Sequence, residues 1–114
     1  MSPRGWRFRV EDMLEAIANA RSCAEGMTFE QFAADTKTVH AAAYEIGVIG
    51  EAVGRIPADV LRSHLEVPWS TMQAMRNVVV HEYFRVDKSI LWQTIHHDLP
   101  PLVPVLQVLL REAE

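Results

Sequence analysis

A single cysteine, Cys23, is all the sulfhydryl chemistry this 114-residue chain has. One cysteine closes no internal disulfide and cannot build a cysteine-rich zinc site, which fits a reducing compartment and gives the expectation of a cytoplasmic protein. Long apolar runs are missing as well. Prolines or charges cut every hydrophobic stretch well short of the ~18 residues that a membrane helix needs, so no membrane is expected among the partners. No apolar segment follows the basic residues Arg4, Arg7 and Arg9, so a secretory signal is not expected. Positive charge is scarce too. A formal net charge of -4 argues against a broad basic face coated by nucleic acid, and leaves room only for local contacts through a few arginines. There is no internal repeat, no low-complexity tract and no alternation of period two long enough for a convincing strand.

What remains is helical. Hydrophobic content of 49% and charged content of 23% are ordinary for one globular domain, expected to span residues 1–114. Val10, Met13, Leu14, Ile17, Arg21 and Ala24 recur at helical steps and predict a first amphipathic helix that stops at Gly26. Thr28 to Gln31 reads as a capping box opening a short segment to about Ala34. Asp35 or Thr36 caps a long helix to about Ile56, with Pro57 placed to start a short helix over 58–64. A fourth major helix starts near Trp69, after a link ending at Pro68, and carries Met72, Met75 and Val79. Asp87 caps the last one, with Ile90, Leu91, Ile95 and Leu99 on one face and Pro100, Pro101 and Pro104 kinking or interrupting it. Trp69 and Trp92 are expected as core or interface anchors. The fold class is all-α, an antiparallel bundle of about five helices.

Ala43, Gly47, Gly50 and Gly54 lie on one stripe of the long helix. Each interior glycine costs ~1 kcal/mol against alanine, so the stripe predicts close approach of another helix, from the same bundle or from a second copy in a homodimer.

The chemistry concentrates in Arg76-Asn77-Val78-Val79-Val80-His81-Glu82-Tyr83. A guanidinium forms a planar fork matched to phosphate oxygens, and an imidazole exchanges protons near neutral pH. Together they suit RNA cleavage in which the ribose 2′-hydroxyl attacks its neighbouring phosphate. His81 then moves the proton, Arg76 stabilises the charge growing on phosphorus, and Asn77 orients the imidazole or the phosphate. The nucleophile belongs to the substrate, so no metal or other cofactor is required. On a regular helix Arg76 and His81 lie about 140° apart around the axis. Either Arg76 curls round while the helix loosens near His81, or two chains supply one composite site. Tyr44 and Glu51 share a face with His40 on the long helix and are candidates to line the cleft, against the blander reading of a solvated polar stripe. His96-His97-Asp98 does not read as a metal site, because neighbouring helical positions diverge by about 100°, and no two histidines are spaced by four.

The Arg-x4-His-x-Tyr pattern resembles the signature of the HepT-like toxins in the HEPN superfamily of helical ribonucleases. Residues 9–17 resemble that family's opening helix and residues 46–52 its second. Pro68-Trp69 and Leu91-Trp92 also stand where the family has them. The resemblance implies a HEPN-type five-helix bundle and a homodimer with the motif in the cleft between subunits. It further implies metal-independent endoribonuclease activity within a type VII toxin–antitoxin system. The partner it implies is a minimal nucleotidyltransferase antitoxin that silences the toxin by adding AMP to Tyr83. An alternative of another class is a non-catalytic helical subunit that binds such a nucleotidyltransferase and presents its substrate. A dimeric scaffold is the blandest reading.

Overall fold

The computed structural model describes residues 5–81 and 87–112, without the side chains of 78–81. Its described residues form seven helices and no strand. They are α1 (Gly5–Ala24), α2 (Phe29–Ala34), α3 (Thr36–Val53), α4 (Ala58–Ser63), α5 (Trp69–His81), α6 (Lys88–Gln93) and α7 (Leu102–Glu112). Helices α2 and α4 are single short segments, so the expected set of about five larger elements stands, with α6 extended by a π-helical turn over Thr94–Asp98.

Local chemistry sets most boundaries. The Thr28 hydroxyl accepts from the Gln31 N–H at 3.1 Å, and the Gln31 side chain accepts from the Thr28 N–H at 2.9 Å, completing the capping box. Asp35, rather than Thr36, caps α3, accepting from the Thr38 N–H at 3.1 Å, a bond that holds its carboxyl below the usual range. Asp87 caps α6, its side chain accepting from the Ile90 N–H at 3.1 Å. The long helix ends at Val53, not near Ile56, because the Arg55 and Ile56 amides fold back onto the Ala52 and Val53 carbonyls in tighter turns. Pro104 does not interrupt α7. It sits in the first turn, where a missing N–H breaks no intrahelical bond, and the chain breaks instead around Pro100 and Pro101.

The core is a three-helix stack with α3 in the middle, packed on α1 at one side and α5 at the other. Val10, Met13 and Ile17 of α1 meet Val39, Ile46 and Ile49 of α3, and Met72 and Met75 of α5 close the far side. Each such side chain contributes roughly 1.5–3 kcal/mol when fully buried. Two residues assigned to buried faces from spacing lie outside. Arg21 is exposed, with Ala20 buried in its place. Ile90 is exposed because it lies about 100° off the line formed by Leu91, Ile95 and Leu99, all buried. Trp69 is a core anchor whose indole N–H donates to the His64 carbonyl at 3.0 Å. Trp92 is half-buried against Phe32 and Phe29.

The glycine stripe resolves into positions with different reasons. A Cβ on Gly50 would stand 2.7 Å from both Cβ and N of Arg76, so this glycine lets α5 cross α3 at close range. A Cβ on Gly54 would meet only the Glu51 carbonyl oxygen, at 3.4 Å. Gly50→Ala is therefore expected to destabilise by about 1–3 kcal/mol through overpacking, despite the better helix propensity of alanine. Gly54→Ala is expected to be neutral or mildly stabilising. Urea unfolding of both variants checks this, and equal midpoints for the two would remove the close-approach explanation.

Candidate active site

The contact at Gly50 also places the arginine. Because Arg76 rides directly over Gly50, the next residue of α3, Glu51, reaches its guanidinium, with Nε 3.1 Å from Oε2. Both side chains stay more than half exposed, at 57% and 52%, so the pair is worth at most about 1 kcal/mol and leaves Arg76 open to an anionic ligand.

Around this pair lies a cavity of about 520 Å³. Its walls come from three elements and a link. Helix α1 gives Arg9 and Asp12, α3 gives Tyr44, Val48 and Glu51, the turn after α3 gives Arg55, and α5 gives Arg76. Arg9 pairs with Asp12 across one turn, at 3.9 Å. Tyr44 is 67% exposed. Tyr44 and Glu51 thus line one cavity with Arg76, while both side chains stay more than half exposed. His40 does not line this cavity, although it is exposed on the same helix.

On its other side Arg76 borders a second, smaller cavity of about 250 Å³, shared with Asn77, Ser70 and Gln73. Asn77 is exposed there. The backbone stays regularly α-helical through His81, so no loosening occurs in the described part of the motif. The His81 side chain, Glu82 and Tyr83 lie outside the described residues.

Arg9 and Arg55 escaped the sequence reading as site residues, Arg9 being read as the start of the opening helix and Arg55 not at all. The available signal was the four-residue step from Glu51 to Arg55, on from the seven-residue step between Tyr44 and Glu51.

Other reactive groups lie elsewhere. Burial, followed by the nearby Glu45 carboxylate, pushes the Cys23 thiol up and keeps it protonated, which disfavours a nucleophilic role. His96 packs against the edge of Trp92, with ring centroids 4.0 Å apart, and borders a cavity with Arg21 and Glu25. Desolvation, then His97 and Arg21, lowers its pKa and favours the neutral imidazole. Among the described residues, one group has donors close enough for a metal ion: His64, Glu66 and Glu112, all within 4.8 Å of one another. None of the three borders the Arg76 cavity, and His64 already pairs with Glu66 at 3.4 Å.

The described residues thus form an all-α bundle that presents an exposed arginine over a groove, with a histidine further along the same helix. Comparison with known proteins gives the family. The pattern of the family described as "Ribonuclease HepT-like" matches residues 13–109, and the chain belongs to that family. It is similar to "Probable ribonuclease HepT" of Thermococcus cleftensis, 41% identical over 87% of this chain and 90% of that one. It is also similar to "Putative RNase MJ0127" of Methanocaldococcus jannaschii, at 30% identity over 100% of this chain and 94% of that one. "Putative RNase TTE0752" of Caldanaerobacter subterraneus is 34% identical over 77% of this chain and 79% of that one. No solved structure matches the chain significantly. The enzyme class is thereby ribonuclease. No helix among the described residues is long and apolar enough to cross a membrane.

Proposed function

We infer that this chain is a metal-independent endoribonuclease and the toxin of a type VII toxin–antitoxin pair. The observation that carries the reading is Arg76. Family membership gives the reaction class, and this guanidinium stands at the lip of a groove, paired among the described residues with an exposed carboxylate that a phosphodiester can displace. A substrate phosphate replaces Glu51 as the partner of Arg76. The adjacent 2′-hydroxyl attacks phosphorus, the bond to the 5′-oxygen breaks, and a 2′,3′-cyclic phosphate and a 5′-hydroxyl result. His81 takes or returns the proton while Arg76 stabilises the crowded phosphorus, with Asn77 orienting one or the other.

A helix that stays regular to His81 sets Arg76 and His81 about 140° apart, which favours the composite arrangement. A two-fold pair of chains brings the guanidinium of one copy toward the imidazole of the other. Silencing follows the same electrostatics. A minimal nucleotidyltransferase antitoxin directs the Tyr83 oxygen onto the α-phosphorus of ATP, forming a phosphodiester and releasing pyrophosphate, with the phenol proton passing to solvent or base. The added anionic nucleotide, within two residues of His81, occupies the place of RNA phosphate and repels the strand.

The test is incubation of purified protein with tRNA and mRNA in the presence of a chelator, followed by end-group analysis. Cyclic phosphate and 5′-hydroxyl ends support the reading, and intact RNA favours the non-catalytic subunit. Intact-mass measurement after incubation with the cognate antitoxin and ATP is expected to show added AMP in wild type and none in Tyr83→Phe. An adduct persisting in that variant moves the acceptor elsewhere.

A further inference from the structure

We propose that the larger cavity beside Arg76 is a nucleotide subsite, in which Tyr44 takes the face of an RNA base and Arg55 takes a phosphate flanking the one that is cleaved. This rests on the ribonuclease reading and adds residues that the motif does not contain.

Charge is the first argument. The cavity has three guanidiniums and two carboxylates on its walls. Two of the arginines are already paired, Arg76 with Glu51 at 3.1 Å and Arg9 with Asp12 at 3.9 Å. Arg55 makes no ion pair among the described residues, so the cavity carries one uncompensated positive charge inside a chain whose formal net charge is -4. A phosphodiester carries a single negative charge and matches it, and the fork of Arg55 suits two phosphate oxygens.

Shape is the second. A cavity of about 520 Å³ falls within the roughly 300–1,000 Å³ range of small-molecule sites, which suits one nucleotide. Gly47, Val48 and Ala52 add a small, apolar part to its lining. Tyr44 stands at its edge, 67% exposed and stacked on no other ring among the described residues. An exposed, unstacked aromatic beside a cation is the arrangement by which proteins hold single-stranded nucleic acid without reading its sequence. The side chain of Tyr44 is seven residues from Glu51, so it lies on the same face as the partner of Arg76.

Continuity is the third. Arg76 borders two cavities, this one and the smaller one with Ser70, Gln73 and Asn77. A strand laid across both puts one phosphate at Arg76 and a nucleotide to either side. A neutral small ligand has no use for this layout, and an acidic peptide has no use for the unstacked ring.

The experiment uses the full chain and a fluorescein-labelled 2′-O-methyl oligonucleotide, which lacks the attacking hydroxyl and is not cleaved. Anisotropy titrations across salt concentration compare wild type with Arg55→Gln, Tyr44→Ala and Tyr44→Phe, each checked for an unchanged thermal transition. Arg55→Gln is expected to weaken binding and to lower the salt slope by about 0.7, the value for one phosphate contact on a single strand. Tyr44→Ala is expected to weaken binding about 5- to 150-fold, with Tyr44→Phe close to wild type because the ring remains. With cleavable RNA, Arg55→Gln is expected to raise KM more than it lowers kcat.

Unchanged affinity and slope in both Arg55→Gln and Tyr44→Ala overturn the subsite, even where wild type cleaves RNA normally. A wild type that cleaves nothing, yet binds the oligonucleotide through Arg55 and Tyr44, sinks the nuclease reading and keeps the subsite. Sedimentation supplies the remaining outcome. If either substitution shifts the monomer–dimer balance and leaves oligonucleotide binding alone, the cavity is a seam between copies and the proposal is wrong.

Discussion

His81→Ala and Arg76→Ala are each expected to lower RNA cleavage about 100- to 10,000-fold while leaving the thermal transition near that of wild type. The range follows from what each group supplies, proton transfer by a positioned imidazole and stabilisation of charge by a positioned cation. Arg76 is expected to add little to stability, because its ion pair with Glu51 is exposed at both ends. Glu51→Gln discriminates between two accounts of that pair. If Glu51 only competes with RNA for Arg76, its loss tightens binding of the uncleavable oligonucleotide and preserves kcat. If Glu51 fixes the guanidinium in place, kcat falls with KM little changed. Cleavage by Arg76→Ala at the wild-type rate contradicts the assignment of Arg76 outright.

The second large effect concerns stability. Phe32→Ala is expected to cost about 3–5 kcal/mol, read as a lower urea midpoint at constant slope. Helix α2 has six residues, too few to persist on propensity and capping alone. It is held by Phe32, fully buried, with its ring 5.4 Å from that of Trp92, and by Lys88 donating to the Ala33 carbonyl at 2.9 Å. Removing the ring leaves a cavity between α2, α3 and α6 that a six-residue helix cannot close without sliding. A loss below about 1 kcal/mol would mean that α2 is a surface appendage and that Phe32 does not tie it to the core.

The bundle was legible in the sequence because its cues are local. Thr28, Asp35 and Asp87 announce helix starts by their own side-chain bonds, and the steps from Val10 to Met13 to Ile17 mark a buried face. Boundaries were missed where a backbone choice decided them, as at Val53, where two amides turn back one residue early. The Pro104 expectation erred because position within a helix, not the presence of proline, determines the damage.

At the site, residue types and family resemblance nominated Arg76, and spacing nominated Tyr44 and Glu51 as neighbours. Spacing could not show that Glu51 reaches Arg76, since that depends on how closely α5 crosses α3 at Gly50. Arg9 and Arg55 were illegible for the same reason. They line one cavity with Arg76 through the packing of α1 and α5 on α3, and only Arg55 has a cue along the chain, its four-residue step from Glu51. The donor trio of His64, Glu66 and Glu112 was likewise hidden, because its third member comes from the far end of α7.

In the proposed mechanism Arg76 and His81 act on one phosphate from different copies of the chain. Mixing inactive Arg76→Ala protein with inactive His81→Ala protein tests it directly. Heterodimers are expected to regain cleavage, because one of their two composite clefts contains both an intact guanidinium and an intact imidazole, and the regained rate is expected to track the fraction of heterodimer. A mixture as inactive as its parts, with heterodimers shown to form, would contradict it.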